Sequence, residues 1–353
     1  MNVFIQIMKK TVTKMILAVL CLMLLLSVFV FWTWWEKQFK KIPGYYNVYK
    51  GDKAYRNANY QKAIDYYKRG LEYYPEHAEA RCNLGNLYVV YENFSEAAVN
   101  YEEALKYNPD DMECRINYAI ILSEELGEHD KALREYTTVI DTKPFVMHLP
   151  FIYDNTKSVK INRGTAYYNK GVVYRKKSIY MGDRSLGAFT FLEKAAESYH
   201  KAKKILKKDY DTHYNLALTE QLLGNEKTAG LEYCKAIELK PFNFEAHYNL
   251  GLLLRSMKLY EESIAEFEKA GMSADLANDG TKQLYLFQIM DDVKQRIIFE
   301  GKPEILVNHR SESALDDGEI TYKYGKVILL EDSGKILEER MKSCPSKKYF
   351  EAL

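Results

Sequence analysis

The chain has 353 residues, of which 47% are hydrophobic and 28% charged, a composition that excludes a chain disordered throughout and allows two or three domains. Its 50 basic and 49 acidic side chains give a formal charge of +1, so there is no basic surplus to neutralise nucleic-acid phosphates. We therefore exclude nucleic acid as a partner. The five cysteines are widely separated and odd in number, and their spacing predicts neither a disulfide framework nor a zinc site.

The first element in chain order is an apolar segment. Residues 15–35 carry no charge over 21 positions and would span roughly 31 Å as a helix, which is long enough to cross a bilayer. Trp32, Trp34 and Trp35 lie at its end, where aromatic rings favour the lipid headgroups. A cleaved signal peptide is the alternative, but the run is long for one and no small-x-small site follows it. We expect a short tail over 1–14, a transmembrane helix over 15–35 and a juxtamembrane linker over 36–43.

Charge alone does not orient this segment, because three lysines precede it and three follow it closely. The opening Met8-Lys9-Lys10-Thr11 is similar to the start of a bacterial export signal. We therefore expect a single-pass protein of the inner (cytoplasmic) membrane, with the bulk of the chain in the periplasm.

A repeat of about 34 residues follows the apolar segment. The prolines that end successive periods are 34 or 35 residues apart: Pro75, Pro109 and Pro144. In the clearest repeat, residues 78–109, two stretches have the three-and-four spacing of a helix face, and Asn93 and Ser95 separate them. Each period therefore predicts a pair of short helices.

The clearest repeat resembles the tetratricopeptide repeat family, whose motif places Leu-Gly and Tyr in the first helix, and Ala, an aromatic residue, Ala and a final Pro in the second. The matching residues are Leu84, Gly85, Tyr88, Ala97, Tyr101, Ala104 and Pro109. The same frame recurs six times over residues 44–275. The resemblance implies an all-α fold, a solenoid of about six helical hairpins.

Three segments depart from the repeat. An insertion over 145–163 begins with an apolar run broken by Pro150, and the fourth repeat is an elongated hairpin over 164–207. Residues 276–300 predict a capping helix for the last repeat. The C-terminal extension, 301–353, contains short β-prone runs, among them residues 335–339, and a turn at 332–334. These features predict a small β-hairpin against the end of the solenoid.

Chemistry-bearing motifs are absent from the sequence. The seven histidines have no metal-binding spacing, and there is neither a glycine-rich phosphate loop nor a nucleophile elbow. His213 and His247, which share one position of the fifth and sixth repeats, are interpreted as core histidines. We expect no enzyme activity, catalytic residue, cofactor, metal or small-molecule substrate.

The resemblance implies that the first helices line a concave groove for a protein partner. In this frame Tyr168, Tyr214 and Tyr248 occupy one equivalent position, and we predict that this column of phenols binds the partner. Packing alone is the alternative. The clamp that some family members use for a chaperone tail is excluded, because only Asn83 fits among the corresponding residues, Val48, Asp52, Asn83, Glu113 and Asn117.

The insertion supplies a second predicted contact. Phe145, Phe151 and Tyr153 are large aromatic candidates for it, and Tyr180 of the elongated hairpin is expected beside them in space. Alternatively, the three aromatic residues of the insertion plug the groove.

The sequence thus predicts a non-enzymatic, membrane-anchored protein–protein interaction scaffold. We expect a role in assembling a bacterial envelope complex of the secretion, cell-wall or flagellar-motor type. Two alternatives remain: a targeting or import receptor whose groove faces the cytosol, and a regulatory subunit of a separate membrane enzyme.

Overall fold

The computed structural model describes residues 2–147, 153–182, 185–277, 279–301, 320–323, 326–329 and 333–353. The chain divides into two compact units, Met1–Glu128 and His129–Leu353, here the N-terminal and C-terminal units.

The N-terminal unit consists of five helices. They are α1 (Asn2–Arg56), α2 (Tyr60–Tyr73), α3 (Ala78–Val90), α4 (Phe94–Tyr107) and α5 (Met112–Glu124). Each of α2 to α5 follows a residue whose side chain accepts a hydrogen bond from a backbone N–H of the first turn: Asn59, His77, Asn93 and Asp111. The helix starts are therefore encoded locally.

The C-terminal unit continues the helical pairs. Its helices are α6 (His129–Asp141), α7 (Thr156–Tyr180), α8 (Leu186–Ile205), α9 (Tyr210–Leu222), α10 (Glu226–Leu239), α11 (Phe244–Ser256), α12 (Tyr260–Leu276) and α13 (Gly280–Phe299). The boundary between the two units falls between α5 and α6. Short strands β1 (Val146–Met147) and β2 (Tyr153–Asp154) precede α7.

Each second helix of the repeats buries one aromatic ring. These second-helix rings are at most 1% exposed: Tyr67, Tyr101, Tyr136, Tyr199, Tyr233 and Phe267. Where the first helix has a glycine, the ring packs against it; a Cβ added at Gly85 or Gly171 would lie 2.7 Å from the ring of Tyr101 or Tyr199. The described helices therefore confirm the expected helical hairpins within each unit.

α1 joins the predicted anchor to the first repeat. It is one helix of 55 residues with Pro43 inside it, so residues 36–43, expected as a separate linker, are helical. Within the predicted span 15–35, the side chains of residues 15–21 and 25 lie outside the described part. Among the residues that the structure describes, no helix combines the length and apolarity needed to cross a membrane.

The predicted insertion is shorter than expected. α7 begins at Thr156, so eight residues assigned to the insertion 145–163 are helical. Asp154 accepts a hydrogen bond from the Thr156 N–H at 2.8 Å, and Asn155 accepts one from the Phe145 N–H at 2.6 Å. These two polar side chains close the connection and start the helix before the repeat frame resumes.

The C-terminal extension is only partly β. Strands β3 (Ile320–Lys323) and β4 (Lys326–Leu329) pair antiparallel, with Ile320 opposite Leu329. Two helices follow, α14 (Ser333–Lys342) and α15 (Lys347–Ala352). The β expectation for residues 335–339 is therefore wrong: Leu337 and Met341, one helical turn apart, are both buried against Met272.

Two disulfides correct the expectation drawn from cysteine spacing. Cys82 of α3 bonds Cys114 of α5, with their Cα atoms 5.8 Å apart, and Cys234 of α10 bonds Cys344, with Cα atoms 5.6 Å apart. Their sequence separations, 32 and 110 residues, gave no local signal. Packing of neighbouring first helices brings the first pair together, and return of the C-terminus to α10 brings the second.

The ring contact at Gly171 generates a stability prediction. We expect Gly171→Ala to destabilise the C-terminal unit by about 1–3 kcal/mol, because the new methyl group overlaps the buried Tyr199 ring. Urea unfolding of the full chain in detergent, followed by circular dichroism, measures the effect. Gly280→Ala is the matched control, since no atom lies within 4 Å of its Cβ position. Equal stability of the two variants would contradict this packing argument.

Candidate functional site

The predicted tyrosine column lies on three first helices of the C-terminal unit. Tyr168 of α7, Tyr214 of α9 and Tyr248 of α11 are all half-buried. The Asn215 side chain donates a hydrogen bond to the Tyr168 hydroxyl at 3.2 Å, and Asn249 donates to the Tyr214 hydroxyl at 2.8 Å. Each amide belongs to the following repeat, so phenols and amides form a ladder across α7, α9 and α11.

The column rests on the buried rings of the second helices. Ring centroids are 5.8 Å apart for Tyr168 and Tyr199, 6.2 Å for Tyr214 and Tyr233, and 5.7 Å for Tyr248 and Phe267. Such separations are typical of aromatic contact. One side of each column ring is therefore held by the core.

A second aromatic residue, one helical turn before, stacks on two of the column rings. Tyr210 lies 5.7 Å from Tyr214 with an interplanar angle of 11°, and Phe244 lies 5.5 Å from Tyr248 with an angle of 14°. Since stacking and the amide hydrogen bonds fix the rings, little side-chain entropy remains to be lost when a partner binds. Packing and binding are thus compatible roles, and the structure shows the packing role.

The electrostatics around Tyr214 favour a neutral phenol. Burial raises the pKa of Tyr214, the Glu245 carboxylate raises it further, and the Arg175 guanidinium opposes both. At neutral pH the Tyr214 hydroxyl therefore stays protonated and serves as a hydrogen-bonding group. The column offers aromatic area and hydroxyl groups, with a cation and an anion acting on Tyr214.

The expected neighbourhood of the insertion and the elongated hairpin is wrong. Phe145 is hydrogen-bonded to Asn155, just before α7, whereas Tyr180 is the last residue of that 25-residue helix, about 37 Å further along. Phe151 lies outside the described residues, as does the side chain of Tyr153. Phe145 is 56% exposed and plugs nothing.

Tyr180 instead belongs to an apolar tip at the far end of the α7–α8 hairpin. Its ring is 77% exposed and contacts His129, with centroids 5.6 Å apart. The exposed apolar residues that share this tip are Ile179, Met181, Leu186 and Phe189. The apolar residues on both sides of Gly182 were the sequence signal for this patch, but only the packing of α7 against α8 shows that they share one end.

The structure confirms that His213 and His247 are core histidines. Their Nδ1 atoms each lie 2.6 Å from a buried carboxylate, Glu232 and Glu266 respectively. The Nε2 atoms face backbone carbonyls, at 3.1 Å for His213 and 2.8 Å for His247. Both ring nitrogens of each histidine therefore face an acceptor. A lysine completes each cluster, Lys203 beside Glu232 and Lys269 beside Glu266.

The sequence analysis missed the acidic partners of these histidines. In both repeats the glutamate follows the histidine by 19 residues, from a first helix to the second helix of the same repeat. This recurring spacing is visible in the sequence and could have predicted the histidine–glutamate pairs.

One group in the described part of the chain has three side chains suited to hold a metal ion. It comprises Cys82, Asp111 and Cys114, whose ligand atoms lie within 4.8 Å of one another. The two cysteines are bonded to each other, and Asp111 caps α5 by accepting a hydrogen bond from the Cys114 N–H at 3.0 Å. All three side chains already have structural partners.

The buried clusters generate a pH prediction. Burial acts to raise the pKa of Glu266, but the His247 hydrogen bond and the charges of His247 and Lys269 outweigh it and leave the pKa below its ordinary value. A lowered carboxyl pKa stabilises the fold above the unfolded-state value and loses that contribution as the pH falls. We therefore expect stability to decline below about pH 4.3.

Glu266→Gln tests this origin of the acid sensitivity. We expect a loss of about 3–5 kcal/mol at pH 7, because buried cations lose their partner, and a flatter decline in acid. Urea midpoints of the full chain, measured by circular dichroism from pH 7 to pH 3, provide the comparison. Glu238→Gln removes an exposed pair with Lys235 and serves as the control. An acid decline as steep as that of the wild type would show that Glu266 is not its source.

Comparisons with known proteins agree with the observed hairpins. Models described as tetratricopeptide repeat match residues 50–90, 78–111, 210–243 and 244–270. No curated protein matches the chain. One similar solved structure is PilF of Pseudomonas aeruginosa, which is 14% identical, covers 71% of this chain and 98% of its own, and has a TM-score of 0.53. Another is PilW, a type IV pilus biogenesis factor, which is 15% identical, covers 69% of this chain and 98% of its own, and has a TM-score of 0.52. These likenesses concern the fold. From its matched repeats and its ring-filled hairpins, the chain belongs to the tetratricopeptide repeat family.

Proposed function

We propose that this protein is a membrane-anchored, non-enzymatic scaffold that binds a protein partner on the face bearing Tyr168, Tyr214 and Tyr248. The observation that carries the proposal is the phenol–amide ladder, in which half-buried rings are held from behind and hydrogen-bonded to the next repeat. Preorganised aromatic residues of this kind are typical of binding hot spots.

The same geometry suggests the chemistry of the partner. A peptide segment or helix that brings apolar side chains to the rings and polar groups to the hydroxyls would suit this face. Arg175 and Glu245, which both act on the Tyr214 hydroxyl, would favour a segment carrying both charge signs.

We further propose that residues 15–35 anchor the chain in the inner membrane and that the bulk lies in the periplasm. The continuous helix α1 supports the first part, since an anchor there would lead directly into the first repeat. The two disulfides support the second, because disulfides persist in oxidising compartments such as the periplasm.

The proposed role is assembly of a bacterial envelope complex of the secretion, cell-wall or flagellar-motor type. PilW, which shares the fold, is a type IV pilus biogenesis factor, although at 15% identity the likeness is one of architecture. Phe145 and the apolar tip around Tyr180 would then be separate secondary contacts, since they lie near opposite ends of α7.

The tyrosine face is tested by site-specific photo-crosslinking in intact cells. A benzophenone amino acid at position 214 should yield a crosslinked protein, and the same probe at Tyr73, an exposed tyrosine of α2, should not. The triple variant Tyr168→Ser, Tyr214→Ser, Tyr248→Ser should weaken capture of that protein at least about tenfold. Its circular dichroism spectrum must remain that of the wild type, because lost helicity would support a packing role alone. Undiminished capture by a folded triple variant would refute the site.

Topology is tested with a cysteine introduced at an exposed turn, Lys208→Cys. Cys344 is unsuitable because it is bonded to Cys234. A membrane-impermeant maleimide should label the variant in spheroplasts without permeabilisation and should not label the parent chain. Labelling only after permeabilisation would favour the cytosol-facing import receptor. The anchor is tested separately: the protein should stay in the membrane fraction after alkaline carbonate washing. A mature N-terminus beyond Trp35 would disprove the anchor.

A further inference from the structure

The C-terminal segment Ser333–Leu353, here the strap, folds back onto the second helices of the last two repeats. Helix α15 packs against α10, and Phe350 is fully buried there. A Cβ on Gly230 would overlap the Phe350 ring, so the glycine creates the pocket that the ring fills. This pocket lies on a second helix, whereas the tyrosine column lies on first helices.

Further contacts hold the strap on α12. Lys269 is buried and donates a hydrogen bond from its ammonium group to the Ser343 carbonyl at 2.8 Å. Leu337 and Met341 are buried against Met272, also on α12. A hydrogen bond to Glu262 raises the pKa of Tyr349. The strap is therefore seated on both α10 and α12.

A disulfide bond links the middle of the strap to α10. Cys344, in the turn between α14 and α15, bonds Cys234 of α10. The disulfide borders an open cleft of about 410 Å³, whose charged lining consists of three lysines and two glutamates: Lys235, Lys342, Lys347, Glu238 and Glu351. Cys344 is only partly buried, so an attacking thiolate has access from the cleft. Lys235 and Lys347 pair with Glu238 and Glu351, at 2.7 Å and 3.7 Å. The Lys342 ammonium group, which also lines the cleft, favours the thiolate form of the attacking and leaving groups.

The other disulfide provides an internal contrast. Cys82 and Cys114 are both buried and join two first helices in the interior of the N-terminal unit. Opening that bond leaves α3 and α5 still packed against α4. Opening the Cys234–Cys344 bond leaves Ser333–Leu353 held on α10 and α12 by noncovalent contacts, and Cys344 is the partly exposed member of the four bonded cysteines.

We propose that the strap is a redox latch: thiol–disulfide exchange at Cys344 with a dithiol oxidoreductase releases Ser333–Leu353 and uncovers the Phe350 pocket on α10. In the exchange, a thiolate of the oxidoreductase attacks the Cys344 sulfur, and the Cys234 thiolate leaves. The second thiol of the oxidoreductase then resolves the mixed disulfide. The oxidoreductase loses two electrons and becomes a disulfide, and Cys234 and Cys344 each gain a proton.

The test uses the full chain in detergent, treated with graded dithiothreitol and followed by differential alkylation and mass spectrometry. We expect the Cys234–Cys344 bond to open at least about tenfold faster than the Cys82–Cys114 bond. Hydrogen exchange of α15 and of the amides around Gly230 should then rise at least about tenfold, with α9 and α11 unchanged. Equal opening rates of the two bonds would overturn the accessibility argument.

Two variants distinguish a strap that is released on reduction from a disulfide that only stabilises the fold. Cys344→Ser should reproduce the reduced state without reductant, and Cys344→Ser with Phe350→Ala should release the strap more completely. Cys344→Ser with Lys348→Ala is the matched control, because Lys348 is exposed on the same helix. If α15 of Cys344→Ser exchanges at the wild-type rate, the strap stays docked and the latch is wrong. Faster exchange throughout α9 to α12 would also refute it, since the bond would then maintain the fold.

The uncovered pocket is tested with a synthetic peptide of residues 343–353, carrying serine in place of Cys344. It should bind the double variant Cys344→Ser, Phe350→Ala and should not bind the oxidised wild-type chain, whose pocket is filled. A peptide with alanine in place of Phe350 should bind neither. Equal binding of the two peptides would show that the ring does not define the pocket. All these outcomes are independent of partner capture on the tyrosine column.

Discussion

The contact between a buried aromatic ring and a small residue of the facing helix determines the geometry of each repeat. The ring fills the hairpin only because its opposite residue has no side chain, as at Gly85 and Gly171, or just a methyl group, as at Ala217. Closely packed interiors tolerate neither a void nor an added methyl group at such a point. The same rings also support the next layer: Tyr199 and Tyr233 lie behind the column residues Tyr168 and Tyr214. The predicted binding face is thus an extension of the core.

This dependence explains which features could be predicted from the sequence. The repeat frame, the hairpins and the position of the tyrosine column follow from local spacing, which is why they were accessible. The early start of α7 depends on hydrogen bonds of Asp154 and Asn155 that no periodicity expresses. The helix over residues 335–339 was misassigned because its β-prone residues gain burial against Met272, a contact remote in sequence. The disulfide pairs could not be predicted for the same reason: the paired cysteines are far apart in the sequence and only the fold brings them together.

The C-terminal unit keeps its two candidate surfaces apart. Phenols and amides on first helices form a ladder that crosses successive repeats, so any ligand there would contact several repeats at once. The second helices α10 and α12 are covered by the chain's own strap, with Phe350 in the Gly230 pocket. A scaffold with one surface open and another closed by its own strap could engage two partners in a defined order, because closing a surface in cis lowers the affinity of any competitor in trans.

Lys269 connects the buried charges to the strap. Its ammonium group pairs with Glu266 at 2.9 Å, Glu266 contacts His247 at 2.6 Å, and the same ammonium group donates to the Ser343 carbonyl at 2.8 Å. A buried lysine needs its acceptors, because an unsatisfied charge in the interior is costly. When the strap leaves, Lys269 loses one acceptor and relies more heavily on Glu266, whose ionisation the His247 contact also favours. The charge state of the sixth repeat and the seating of the strap are therefore coupled through one side chain, the Lys269 ammonium group, which is 6% exposed.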